Sequence, residues 1–123
     1  MKQHILIVDD EPPIRELLAE FFQKRGYQVV TAATAEEATR LADETPQHLV
    51  ILDIALADAD GLELLRSLKQ KHPALPVIML TGMGFDDELL QEALQNGASG
   101  YVSKALSLEQ LLMEVHRVLK FVT

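Results

Sequence analysis

The sequence predicts an α/β fold: a doubly wound, five-stranded parallel sheet in the order 2-1-3-4-5, flanked by five helices. Short β-branched runs alternate five times with longer stretches of helical period, and no linker or low-complexity tract interrupts them. The runs Ile5-Leu6-Ile7-Val8, Leu49-Val50-Ile51-Leu52 and Val77-Ile78-Met79-Leu80 are continuously apolar rather than alternating, as in strands covered on both faces. The connections are short, so right-handed crossovers leave few compact arrangements, of which 2-1-3-4-5 is the commonest at this size.

Each element carries its own signal. The first strand reads as His4 to Asp9. Pro12 and Pro13 fix φ where the first helix starts; Ile14, Leu17, Leu18, Phe21 and Phe22 recur at helical spacing, and Gly26 supplies a left-handed cap. Gln28 to Ala32 is the second strand and Ala35 to Asp43 the second helix, with Thr34 or Ala35 near its start. His48 to Asp53 is the third strand, followed by a helix from Asp60 to Lys71 that buries Leu62, Leu65 and Leu68. Pro76 to Thr81 is the fourth strand, and Asp86 to Gln95 the fourth helix, closed by Asn96-Gly97. Ser99 to Ser103 is the fifth strand; the last helix runs from Ser107 to about Phe121, where Ser107-x-x-Gln110 resembles a capping box. The four histidines, Met79 and Tyr27 read as core or surface residues.

With 123 residues the chain holds one domain, 1–123, and 48% hydrophobic residues suffice for a real core. The absence of cysteine excludes a disulfide scaffold and thiolate metal sites. Nineteen acids against eleven Lys and Arg give a formal charge of −8, which argues against direct nucleic-acid or anionic-membrane binding and favours cations or basic partners. No apolar run approaches the roughly 20 residues that span a bilayer, and Met1-Lys2-Gln3-His4 does not open a signal peptide, so a cytoplasmic location is expected.

In open α/β sheets ligands bind at the carboxyl ends of the strands, near the point where strand order reverses. Here four strands end in polar groups: Asp9-Asp10, Asp53, Thr81 and Ser103-Lys104. Singly each has a bland reading, as a helix cap, a turn residue, a strand end or a solvated lysine. Together at one edge they are hard to dismiss. Three converging carboxylates repel by about 4 kcal/mol per pair at 4 Å and an effective dielectric of 20, so they call for a cation. The all-oxygen donor set suits Mg²⁺ or Mn²⁺. A metal, an ammonium, a hydroxyl and a free carboxylate equip a site for phosphoryl transfer, with Asp53 as nucleophile.

These residues resemble the receiver domains of two-component response regulators, which share the flavodoxin-like fold. The resemblance covers essentially the whole chain and rests on Val8-Asp9-Asp10-Glu11, on Asp53 with Asp60-Gly61 downstream, on Leu80-Thr81-Gly82 and on Gly97-Ala98-Ser99-Gly100-Tyr101-Val102-Ser103-Lys104. It implies that Asp53 is the phosphoacceptor and that Asp10, Asp53, the Ala55 carbonyl and, through water, Asp9 hold Mg²⁺. It further implies that Thr81 and Lys104 contact the phosphoryl oxygens, with slow self-dephosphorylation at most in place of enzymatic turnover. Thr81 and Tyr101 are then the switch pair, remodelling the surface of helix 4, strand 5 and helix 5, which is also a candidate homodimer surface.

Two positions depart from the family pattern: Ala57 and Ala105 stand where prolines are common. Either the Lys104–Ala105 peptide is trans with a rearranged loop, or strain is retained there; no reacting group is lost, so activity is expected to survive. The resemblance further implies that the positions of Ala55 and Met83, two after the phosphoacceptor and two after the threonine, help govern water access to the acyl phosphate, and their apolar character predicts slow loss of phosphate. The expected phosphodonor is a histidine kinase or histidine phosphotransfer protein. It would dock near helix 1, where Ile14, Leu18 and Phe22 either form an apolar patch or, more commonly, enter the core. The chain reads as a free-standing module or as the N-terminal part of a longer regulator whose effector domain lies beyond Phe121-Val122-Thr123. Two other classes fit these residues less well. A haloacid-dehalogenase-like phosphohydrolase would need Asp-x-Asp after strand 1, where this chain has adjacent acids; a flavin-binding protein would not place Asp9-Asp10-Glu11 against a phosphate.

Overall fold

A computed structural model describes residues 2–56, 58–82, 86–105 and 107–120. The elements are β1 (His4–Val8), α1 (Pro12–Lys24), β2 (Gln28–Ala32), α2 (Ala35–Glu44), β3 (Leu49–Asp53), α3 (Gly61–Lys71), β4 (Val77–Thr81), α4 (Asp87–Gln95), β5 (Gly100–Ser103) and α5 (Leu108–Lys120). All five strands are parallel, in the order β2-β1-β3-β4-β5, as expected. Ala57, Met83, Phe121 and Val122 lie outside the described residues, and with them the proline departure at 57, half of the water-access pair and the end of the last helix.

The sheet explains its own sequence pattern. Alternate residues of the central strands point to opposite faces, and both faces are covered. Ile5, Ile7, Leu49, Ile51, Ile78, Leu80 and Val102 form one core with Leu18 and Phe22 of α1 and Leu111, Val115, Val118 and Leu119 of α5. Leu6, Val8, Val50, Leu52, Val77 and Met79 form the other with Ala38 and Ala42 of α2, the leucines of α3 and Ala93 of α4. Each fully buried Leu or Ile contributes roughly 1.5–3 kcal/mol over its exposed state, which is what makes a continuous apolar run worth keeping. Several ends shift by one residue because the terminal residue donates to the ladder without completing it. Asp9 donates to the Ala32 carbonyl at 3.1 Å, His48 to His4 at 2.8 Å and Ser99 to Val77 at 2.7 Å.

Helix termini follow local chemistry. Asp60 and Asp86 precede α3 and α4 as caps rather than opening them: Asp60 accepts from Leu62 N–H at 2.9 Å, and Asp86 from Glu88 and Leu89. Thr34 caps α2 through Glu37 N–H at 3.1 Å. The capping box before α5 is present, with Gln110 N–H on Ser107 Oγ at 3.2 Å and Ser107 N–H on Gln110 Oε1 at 3.1 Å. Gly26 and Gly97 terminate α1 and α4 at φ +94° and +99°.

Of the α1 side chains expected either to form a patch or to enter the core, Leu18 and Phe22 are buried. Leu17 is instead 51% exposed and lines an apolar groove with Ile14, Leu108 and Leu111. Tyr27 packs edge-on against Phe22 with centroids 5.7 Å apart, and Met79 is fully buried, so both are structural. The histidines are tied into the opposite end of the sheet or exposed: His48 Nδ1 accepts from His4 N–H at 2.8 Å, and His72 pairs with Asp43 at 3.0 Å.

Candidate functional site

The site is assembled from the carboxyl ends of neighbouring strands. Val8 of β1 pairs with Leu52 of β3, so Asp9 and Asp53 leave adjacent strands side by side. Asp9 is fully buried and Asp53 is 3% exposed, while Asp10 sits half-buried at the rim. Ligand oxygens of Asp9, Asp10 and Asp53 all lie within 4.8 Å of one another. Beyond β3, Thr81 ends β4 fully buried, and its carbonyl accepts from Lys104 N–H at 2.7 Å, which fixes where Lys104 leaves β5.

From there the lysine reaches back across two strands. Its Nζ lies 2.9 Å from Asp53 Oδ2, 3.0 Å from Asp9 Oδ2 and 3.1 Å from Glu11 Oε2. No cis peptide bond occurs among the described residues, so Lys104–Ala105 is trans, and the lysine reaches the carboxylates without the usual proline after it. Burial alone would lower the Lys104 pKa, but the hydrogen bonds to Asp53, Asp9 and Glu11 outweigh it and raise it, so the side chain is a fixed ammonium. Burial pushes the Asp9 carboxyl up from its usual value, and neighbouring Asp53 adds to this; the Glu11 N–H and Lys104 offset it only in part.

Backbone groups hold the rest. Asp9 Oδ1 accepts from Glu11 N–H at 2.9 Å, and Asp53 Oδ1 from Ala55 N–H at 3.1 Å. Arg15 donates to the Asp9 carbonyl at 2.7 Å, bracing the turn that carries both acids. Behind Asp53, Ala55 bridges to Asp60, and Gly61 N–H donates to the Ile54 carbonyl at 2.9 Å. A Cβ on Gly61 would fall 2.5 Å from the Asp53 carbonyl oxygen and 2.6–2.7 Å from Ile54 main-chain atoms, so only glycine lets α3 press against the strand that presents Asp53. An open cleft of about 640 Å³ bordered by Asp10, Asp53, Ala55, Gly82 and Lys104 gives access.

The structure therefore brings together Asp9, Asp10, Asp53 and Lys104, and sets Thr81 at the end of β4 and Ala55 in the loop just beyond β3. Tyr101, on β5 beside Met79, is half-buried and packs against the core under α4. Glu11 as a third carboxylate on Lys104 is not readable from the sequence, where it looks like a helix cap; it stands at that position, but its side chain makes no cap hydrogen bond. Arg15 carries no sequence signal either, since its partner is a main-chain oxygen.

Three close, hard carboxylate donors fit a small divalent cation such as Mg²⁺ or Mn²⁺, which would relieve the strain on Asp9. The class so defined is a doubly wound α/β domain with an acidic, lysine-completed site at the carboxyl edge of its sheet. Comparison with known proteins gives the class its family. The profile described as "Response regulator receiver domain" matches residues 5–116. The chain is 36% identical over 118 residues to the phosphate regulon transcriptional regulatory protein PhoB of Pseudomonas aeruginosa, covering 94% of this chain and 51% of that protein. It is 35% identical over 121 residues to the alkaline phosphatase synthesis transcriptional regulatory protein PhoP of Bacillus subtilis, covering 98% and 50%. A CheY-like receiver domain from Methanospirillum hungatei superposes with a TM-score of 0.94 at 31% identity, covering 99% of this chain and 97% of that one. The chain belongs to the response regulator receiver domain family of two-component signalling. It spans about half the length of the curated relatives it matches. Among the described residues no helix is long and apolar enough to cross a membrane.

Proposed function

We propose that Asp53 accepts a phosphoryl group from a histidine kinase, a histidine phosphotransfer protein or a small phosphodonor, and that this acyl phosphate drives a switch. The observation that carries the reading is a nearly buried carboxylate at a strand end, held by Lys104 Nζ at 2.9 Å and flanked by two more acids within 4.8 Å. A carboxylate oxygen of Asp53 forms the new P–O bond as the P–N bond to the donor imidazole breaks, and the departing imidazole takes a proton. Lys104, already an ammonium, follows one phosphoryl oxygen, and the Thr81 hydroxyl donates to another. Mg²⁺ held by Asp10, Asp53, the Ala55 carbonyl and, through water, Asp9 would neutralise charge that the carboxylates otherwise direct against the incoming phosphoryl group. Attack of water on phosphorus later returns inorganic phosphate and the free carboxylate, a slow self-dephosphorylation with no separate substrate turned over.

Movement of Thr81 towards the phosphoryl group opens space beside β5 for Tyr101, so the surface formed by α4, β5 and α5 carries the output. The groove of Ile14, Leu17, Leu108 and Leu111 lies beside Lys104 and suits an apolar helix face of the phosphodonor. The domain is assigned to the cytoplasm, where such donors act. The test is intact mass after incubation with acetyl phosphate and Mg²⁺. One added phosphoryl group on the wild type and none on Asp53→Asn supports the assignment; no label on the wild type, or label on the variant, refutes it.

A further inference from the structure

The loop that follows Asp53 is fastened at a point the phosphoacceptor chemistry does not require. Asp58 lies in that loop, and both of its carboxylate oxygens accept from the N–H of Ala35, at 3.0 and 3.1 Å, 23 residues away at the first turn of α2. Helix α2 does not need this bond to begin. A local cap is already present: Thr34 Oγ1 accepts from Glu37 N–H at 3.1 Å, and Glu37 Oε1 accepts from Ala33 N–H at 2.7 Å. Glu36 and Glu37 already complement the positive end of the helix. The bond satisfies the Ala35 N–H that this cap leaves open and, being made from another segment, also ties the loop to α2. The two ends of the loop are pinned to each other by the Ala55–Asp60 bridge and by Gly61 N–H on the Ile54 carbonyl, and Asp58, two residues before Asp60, adds a side-chain hydrogen bond from the loop to α2.

We propose that Asp58 is a positioning residue that clips the 54–60 loop to α2 and so holds Ala55 where its main chain serves the site. Ala55 N–H donates to Asp53 Oδ1 at 3.1 Å, fixing the rotamer that leaves Oδ2 on Lys104. The neighbouring Ala55 carbonyl is the main-chain ligand that the reading above gives to Mg²⁺, and the proposal rests on that reading for its consequence in metal affinity. A hydrogen bond to a charged acceptor contributes about tenfold in the equilibrium it biases. Loss of the clip therefore lets the loop, and Ala55 with it, sample positions that neither orient Asp53 nor present the carbonyl.

The experiment compares wild type, Asp58→Ala, Asp58→Asn and Thr34→Ala as intact chains. Amide hydrogen exchange is followed by NMR at Ala35 and Ala55 without metal, and Mg²⁺ affinity is measured by calorimetry. Asp58→Ala is expected to speed exchange at both Ala35 and Ala55 by about tenfold and to weaken Mg²⁺ by about three- to tenfold, with Asp58→Asn, which keeps an acceptor oxygen, recovering most of both. Thr34→Ala loosens the start of α2 through its own cap and should leave Ala55 exchange and Mg²⁺ affinity near wild type. If Asp58→Ala quickens exchange at Ala35 alone, or if Thr34→Ala moves Ala55 equally, Asp58 is a helix cap and the proposal falls. Should wild type bind no Mg²⁺, the phosphoacceptor reading fails by itself, while Ala55 exchange still reports whether the clip exists.

Discussion

Replacing Asp9 by Asn should stabilise the metal-free domain. Asp9 is fully buried, and its carboxylate faces Asp10 and Asp53 with ligand oxygens within 4.8 Å. At an effective dielectric of 20 the Asp53 repulsion costs about 3.5 kcal/mol and the Lys104 ammonium at 3.0 Å returns about 5.5 kcal/mol, so the charged neighbours do not themselves disfavour the carboxylate; the cost of burying it, the largest influence on Asp9, does. Asparagine keeps an acceptor for Glu11 N–H and leaves Lys104 its bonds to Asp53 and Glu11. Removing the buried charge should therefore gain on the order of 1 kcal/mol, or roughly 3–6 °C in Tm for a domain of this size. The pH dependence has a definite sign. The folded Asp9 pKa lies above its unfolded value, so the folded state binds the extra proton between the two and the wild type loses stability as pH rises through that window. The advantage of Asp9→Asn is therefore largest near neutral pH and fades below the folded Asp9 pKa. Thermal denaturation in EDTA across pH, repeated with Mg²⁺, reads both arms: Mg²⁺ should raise the wild type and close the gap. A variant no more stable than wild type at pH 7 in EDTA would refute the reasoning.

Gly61→Ala forces a Cβ to within 2.5–2.7 Å of Asp53 and Ile54 main-chain atoms, so chemical denaturation should show a loss of about 2–4 kcal/mol and labelling of Asp53 by acetyl phosphate should slow. Leu17→Asp, at a side chain already 51% exposed, should leave Tm within a few degrees and acetyl phosphate labelling unchanged while slowing transfer from a phosphorylated histidine donor at least tenfold; equal slowing from both donors would remove the groove from the docking surface. Polar substitutions at Ala55 and Met83 should shorten the acyl-phosphate lifetime, followed by loss of the added mass after the donor is removed, and an unchanged lifetime would show that apolar shielding is not what protects it.

How much of this was legible in the sequence depends on the range of the interaction. The strands β1, β3 and β4 are readable because burial on both faces leaves unbroken apolar runs, and helix caps at Thr34, Ser107 and Gly26 are readable because they act within a few residues. Asp60 and Asp86 read as first helical residues because cap and first turn differ by one dihedral pair, which composition does not encode. Leu17 and Leu18 look alike in a helical pattern, and only the angle at which α1 lies on the sheet sends Leu18 inward and leaves Leu17 outside.

By itself the sequence determined the parallel sheet, its order and the set of strand ends that carry Asp9, Asp10, Asp53, Thr81 and Lys104, because those follow from periodicity and crossover rules. Tertiary structure alone decided that Lys104 would share its charge with Glu11, 93 residues away, that Gly61 would lie against the Asp53 carbonyl and that Asp58 would reach Ala35. The physical reason is that hydrogen bonds and ion pairs need donor and acceptor about 3 Å apart, to within a few tenths of an ångström, across segments remote in the chain. Loop paths set those separations, and residue type does not.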